Sequence, residues 1–327
     1  YSIKSDGDNG LWICADTGIA HLNSNNKAEV IYNDYFNSNI SDVIMDYQGN
    51  YWFTSTRQGI LKLSKNPFVN INTAAGISDG VVNSIEVINN LMYIGYDGGL
   101  QIINTHSNSA VSNTLTDMLD GERVRHIMRD SDSRLWISTY GSGGLICYDP
   151  SDTSIKAFNE SDLGTMGNKF RFTKELDDGT ILAASSTGLT FIKDGKVINT
   201  IGADNGLDMP QILCTVQLDD GTVLAGSDGD GIYVIKDGKV VSNIGEDDGL
   251  TSLVVMRIVR YKDVYFIVTS SALYILDAYG QVSKADSFVY SNNFDIIPDD
   301  NKGMLWITSS AGIFIVDGDE LASDSCD

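Results

Sequence analysis

Three histidines, His21, His106 and His126, are the chain's whole supply of imidazole. None stands in an HExxH, GxSxG or phosphate-loop spacing, so hydrolytic and metal-assisted chemistry has no motif to rest on. Residues suited to holding a ligand are better represented: Arg57, Tyr96, Arg125, His126, Tyr140, Arg171 and Asp228. Aromatic faces stack on the apolar side of a sugar ring while polar groups take its hydroxyls. An anionic sugar would want Arg57, Arg125 and Arg171 as paired donors. This is the chemistry of binding, and no catalytic residue is assigned.

Metals and cofactors fare no better. Cys14, Cys147, Cys214 and Cys326 are far apart, with no CxxC, and three of them fall in strand-like runs where a buried free thiol is the usual occupant. Asp6-Gly7-Asp8-Asn9-Gly10 and Asp130-Ser131-Asp132 invite a calcium reading. Calcium wants roughly six to eight oxygens, and these segments lack the distal carboxylate of a calcium loop. Asp, Asn and Gly favour tight turns for backbone reasons alone, so turns are expected there. Neither a metal nor a cofactor is expected.

The elements that must position these residues repeat. Trp12, Trp52, Tyr93, Trp136, Leu182, Leu224, Tyr265 and Trp306 anchor eight similar phrases, spaced by 40, 41, 43, 46, 42, 41 and 41 residues. Gly10-Leu11-Trp12-Ile13-Cys14-Ala15, closing on Gly18-Ile19, returns as Asn50-Tyr51-Trp52-Phe53-Thr54-Ser55 with Gly59-Ile60. Each unit reads as a first apolar strand, a turn, the anchor strand, a short loop, a third strand and a more polar fourth strand. The expected fold is all-β: one β-propeller domain over residues 1–327, of four-stranded antiparallel blades, eight by count and seven as the alternative. The last unit stops soon after its third strand, at Ile315-Val316-Asp317. The repeated place of the four tryptophans predicts packing between blades.

Aligning first strands puts Arg125 and His126 level with Ser41 and Asp42, Asn83 and Ser84, and Arg171 and Phe172. Leu213 and Cys214, Met256 and Arg257, and Asp295 and Ile296 follow in the same register. Innermost strands line a propeller's channel, so this set is expected to face the axis near one mouth. Arg57, Tyr96, Tyr140 and Asp228 lie in loops opening on that same mouth.

Asp130-Ser131-Asp132-Ser133-Arg134-Leu135-Trp136-Ile137-Ser138-Thr139, closing on Gly144-Leu145, resembles the two-component-regulator propeller repeat. So does Asp299-Asp300-Asn301-Lys302-Gly303-Met304-Leu305-Trp306-Ile307-Thr308 with Gly312-Ile313, and Gly206-Leu207 and Gly249-Leu250 resemble its lead-in segments. The units at Leu182, Leu224 and Tyr265 depart from the Trp-Ile pattern. The resemblance implies a non-enzymatic, extracytoplasmic (periplasmic or cell-surface) sensor within a membrane-anchored bacterial signalling protein. Downstream domains of the same polypeptide, a kinase or a cyclase, would carry the output. It further implies a small-molecule ligand such as an oligosaccharide, and leaves a homodimer open. A polysaccharide lyase or glycosidase on the same fold, using His126 with Arg125 and Asp42, is the alternative, as is a protein-interaction scaffold.

Bulk properties agree. There are 22 Lys+Arg against 44 Asp+Glu, a formal charge of −22, which repels phosphate backbones and anionic headgroups and so excludes nucleic acid as a natural partner. No apolar run approaches the roughly 20 residues of a membrane span, so this segment is expected to make no membrane contact.

Overall fold

The structure, a computed structural model, describes residues 1–64, 70–77, 79–158, 167–299 and 301–326. Asp300, part of a repeat phrase quoted above, lies outside them. The chain folds as two compact units, Tyr1–Asn70 and Ile71–Asp327.

Every repeat folds into one antiparallel meander, and among the described residues there are eight of them. Unit one holds a four-stranded sheet, β1 (Ser2–Ser5), β2 (Leu11–Ala15), β3 (Gly18–Leu22) and β4 (Ala28–Ile31). Its second sheet has three strands among the described residues, β5 (Ile40–Met45), β6 (Tyr51–Ser55) and β7 (Gly59–Leu63). Unit two begins with β8 (Val82–Ile88), β9 (Leu91–Tyr96), β10 (Gly99–Asn104) and β11 (Ser109–Val111), then β12 (Val124–Arg129), β13 (Leu135–Thr139), β14 (Leu145–Tyr148) and β15 (Ile155–Phe158). The next two blades are β16 (Phe170–Glu175) to β19 (Lys196–Ile201) and β20 (Ile212–Gln217) to β23 (Lys239–Ile244). β24 (Val255–Tyr261) to β27 (Val282–Lys284) follow, then β28 (Asn293–Asp299), β29 (Met304–Ser309) and β30 (Gly312–Asp317), a three-stranded sheet among the described residues, and a short helix over Gly318–Ala322.

Burial explains the division of labour within a blade. The anchor strands β13, β17 (Ile181–Ser185) and β21 (Val223–Ser227) are buried at every position, whereas the outer strand β23 has no buried residue. A strand covered on both faces reads as a continuous apolar run, and one at the rim alternates or turns polar. Within unit two each apolar cluster joins successive sheets: Tyr93 and Ile102 meet Ile127, Ile137 and Tyr148, and Leu189 and Phe191 meet Val223 and Tyr233. The blades approach closely enough to dictate residue size. A Cβ on Gly226 would lie 2.6 Å from Val255 of the next blade, and one on Gly95 would lie 2.5 Å from Val124.

The aspartate turns are built as expected. Asp130 Oδ1 accepts from the backbone N–H of Asp132 and Arg134, and its Oδ2 accepts from Trp136 Nε1 at 2.8 Å. Asp46 repeats the pattern with Gln48, Asn50 and Trp52 Nε1. In the first blade His21 Nε2 stands 2.8 Å from Asp6 and stacks on Trp12.

Not every tryptophan packs between blades, as their repeated place predicts. Trp12 and Trp136 are buried, but Trp306 is 40% exposed. It lies in a cross-strand row with Ile297 and Ile315, on the last sheet of unit two, where no further blade of that unit covers it. Cys14 and Cys214 are buried free thiols, and Cys147 and Cys326 are free and half-buried. Among the described residues no helix is long and apolar enough to cross a membrane.

Candidate ligand-binding cavity

The innermost strand of a blade carries one residue too many. In β12 Val124 pairs with Thr139 and His126 with Ser138, which leaves Arg125 as a β-bulge. The same slip isolates Asn83 in β8, Arg171 in β16, Leu213 in β20 and Met256 in β24. It recurs at Ser41 in β5 of unit one. A bulge adds local twist and re-aims the extra side chain out of the pleat. In five blades of unit two it releases one side chain each, Asn83, Arg125, Arg171, Leu213 and Met256. In β28 the bulged residue is Phe294, so the aligned register, which points to Asp295, is one position off in the last blade.

Asn83, Arg125, Arg171, Leu213, Met256 and Arg257 line a cavity of about 240 Å³ inside unit two. Five of these six are bulge residues, and Arg257 is the residue after a bulge. The cavity is thus the product of one backbone device used in five blades, and its chemistry depends on which residue each repeat carries there.

Its walls are cationic. Arg125 Nη1 reaches Asn83 Oδ1 at 3.4 Å, while Asn83 donates to Asp97 and to the Val124 carbonyl, both at 2.9 Å. Burial pushes the Arg125 pKa down, and the neighbouring Arg171 and Arg123 add to the effect. Arg171 lies over the Tyr140 ring at 5.0 Å, and its Nη2 is 3.5 Å from the Tyr140 hydroxyl. Arg171 Nε is buried without a partner. Arg257 donates to the Met256 carbonyl at 3.2 Å and stands 3.4 Å from Asp295.

The other sequence candidates take several places. Tyr140 forms a bridge with Lys169 and carries Lys169 and Arg171 over its ring. Tyr96 and Tyr140 sit at or just beyond the ends of β9 and β13, level with the bulges of β8 and β12. Asp228 follows β21 in the same way and accepts a hydrogen bond from Gln211 Nε2. Arg57 is exposed in unit one, its backbone N–H bonded to Ser55 Oγ.

His126 is turned away from the cavity wall. Its Nδ1 accepts from the backbone N–H of Thr173 in the next blade at 3.2 Å, and its ring packs, tilted by 34°, against Phe172 at 4.4 Å. A nitrogen that accepts there leaves the ring neutral, and burial holds its pKa down at about 3. Ser84 does the same service for Ile127 N–H, one blade earlier, at 3.0 Å. At Ser84 and His126 the residue after a bulge is therefore a staple between blades, whereas Arg257 lines the cavity while also facing Asp295 of the next blade. Alignment of the repeats puts Arg257 in the ring, but only the geometry separates the residue that lines the cavity from the one that staples.

Residues 118–141 match the family profile described as two component regulator propeller. Among solved structures the chain resembles the extracellular domain assigned to the hybrid two-component system BT3049 of B. thetaiotaomicron, at 22% identity and a TM-score of 0.71. That match covers 96% of this chain and 45% of the other. The extracellular domain assigned to BT4673 of the same organism gives 18% identity and a TM-score of 0.67, over 98% of this chain and 47% of that one. PorZ, a surface component of the type-IX secretion system of Porphyromonas gingivalis, gives 16% and 0.54, over 94% and 56%. The shared feature is the β-propeller fold, and the chain spans about half the length of each. No curated protein sequence matches it.

Proposed function

We propose that the chain, in which residues 118–141 match the two component regulator propeller profile, is the extracytoplasmic sensing domain of a bacterial signal-transduction protein. The eight repeats act as one domain, as the unbroken period across residues 52 and 93 supports. Its ligand is a small molecule such as an oligosaccharide, held at the cavity of Arg125 and Arg171 with Tyr140 beside them. Tyr96 and Asp228 stand at the same ends of their sheets, and Arg57 is the corresponding loop residue of the second repeat. Signal output belongs to further domains of the same polypeptide, consistent with structural neighbours about twice as long.

One observation carries the binding reading: five blades each bulge a side chain into one cavity. A reading as lyase or glycosidase is disfavoured by the lining itself. A general base must sit within hydrogen-bond reach of the proton it takes. Arginine stays protonated and cannot serve, and the Nδ1 of His126 is already occupied.

The test is a calorimetric titration of the purified protein with oligosaccharide fragments of plant and animal polysaccharides, with product analysis of the same mixtures. Binding without turnover, weakened by Arg125→Ala and by Tyr140→Ala, is the expected result. Appearance of unsaturated or new reducing-end sugars would establish an enzyme instead.

A further inference from the structure

We infer that the cavity lined by Arg125, Arg171 and Arg257 receives an anionic group of the ligand, the carboxylate or sulfate of one acidic sugar unit. This rests on the binding reading above and names its ligand class.

Several cations elsewhere on the molecule are matched. Arg123 bonds Asp97 at 2.5 Å, Arg134 bonds Asp130 at 2.8 Å, Lys193 bonds Asp178 at 2.8 Å, and Arg260 bonds Asp219. With 44 acids for 22 bases, carboxylates outnumber cations two to one along the chain. The cavity departs from this. Three guanidinium groups line it and no carboxylate does among the described residues. Arg125 has only an amide oxygen at 3.4 Å, Arg171 has a phenol at 3.5 Å and a buried Nε with no partner, and Arg257 has one carboxylate at 3.4 Å.

Like charges gathered in a partly buried space oppose one another and forgo hydrogen bonds. A folded chain keeps such an arrangement where something else completes it. Guanidinium forks match the planar, paired oxygens of carboxylates and the oxygens of sulfate or phosphate esters. Size narrows the choice further. At about 240 Å³ the cavity lies below the roughly 300–1,000 Å³ of pockets that swallow drug-sized ligands. It fits one charged sugar unit, with any remaining units outside, toward Tyr140. Leu213 and Met256 supply the apolar wall that a sugar ring needs.

The charge arrangement also sets a signature that a structural arginine would not give. Removing one guanidinium relieves repulsion in the empty protein while removing a donor for the anion. The experiment is calorimetry and thermal unfolding of the purified protein at fixed ionic strength with glucuronate, galacturonate, glucose 6-sulfate, glucose and galactose. Arg171→Gln and Arg257→Gln variants are measured in parallel. Expected are binding of acidic sugars but not of glucose or galactose, affinity about ten- to a hundredfold weaker in each variant, and a ligand-free Tm equal to or above that of the parent. A preference for glucuronate over glucose 6-sulfate would identify the carboxylate, and the reverse the sulfate. Equal binding of the neutral sugars, unaffected by either variant, would overturn the anionic assignment and leave sugar sensing standing. No binding of any probe, with both variants less stable than the parent, would show the arginines to be structural and overturn both.

Discussion

Position 126 carries an imidazole that works as a connector between blades. In the unfolded chain it titrates near its ordinary 6.5, and in the folded one near 3. Between those values the unfolded state binds more protons, so stability is full above pH 6.5 and falls as pH drops toward 3. The slope is at most about 1.4 kcal/mol per pH unit. We predict a loss of about 1–2 kcal/mol between pH 6.5 and pH 5, above the range where carboxylates protonate. His126→Gln should flatten the curve in that window, measured by urea unfolding at several pH values. An equally steep curve in the variant would show that the sensitivity comes from elsewhere. The neighbouring arginine obeys different physics: Arg125 is turned out of the pleat by the bulge, so two adjacent residues take opposite roles.

In the hairpins that open on Asp46 and Asp130, the aspartate holds the turn through backbone N–H groups. Asp130 is buried, and its oxygens accept two backbone N–H groups, Arg134 Nε and the indole of Trp136. Asp130→Ala would leave a buried indole N–H unsatisfied and free the turn, costing roughly 1–3 kcal/mol. Asp132→Ala, at an exposed position of the same turn, should cost less than about 0.5 kcal/mol. Denaturant melts of the two variants check this, and equal losses would refute the assignment. Strand order, turn chemistry and the anchor strand are legible in the sequence because alternation and Asp-Gly spacing are local properties. The bulges are not. A bulge changes neither composition nor period, and its sign is a pairing slip against a strand elsewhere in the chain. That is why alignment of the repeats finds Arg125 and Arg171 at their common level yet misses Phe294 by one residue.

Across the whole molecule the acidic excess is general and the basic cavity is local. A net charge of −22 spread over turns and rims makes the folded state repel itself. Raising sodium chloride from about 10 to about 150 mM shortens the screening length from about 30 to about 8 Å, and the ligand-free Tm should rise accordingly. A flat or falling Tm would mean that the surface ion pairs outweigh the repulsion. The exposed row of Ile297, Trp306 and Ile315 belongs to this scale too. The equivalent anchor residues Trp12 and Trp136 are buried, whereas this row stands on the last sheet of its unit.

The amino-acid sequence alone carries the repeat: eight phrases at a near-constant period, each with its strands in order and several of its turns marked by aspartate. Those features follow from interactions within about forty residues, so a linear reading recovers them. Which residues meet is settled in three dimensions. Asn83, Arg125, Arg171, Leu213, Met256 and Arg257 lie in five different repeats, and nothing in their spacing distinguishes a side chain lining a cavity from one stapling two blades. The difference is set by the bulge, which re-aims one residue and leaves its neighbour in the pleat. That bulge in successive blades brings Arg125 and Arg171, scattered along an acidic chain, to one site, and Arg257 joins them from the position after a bulge.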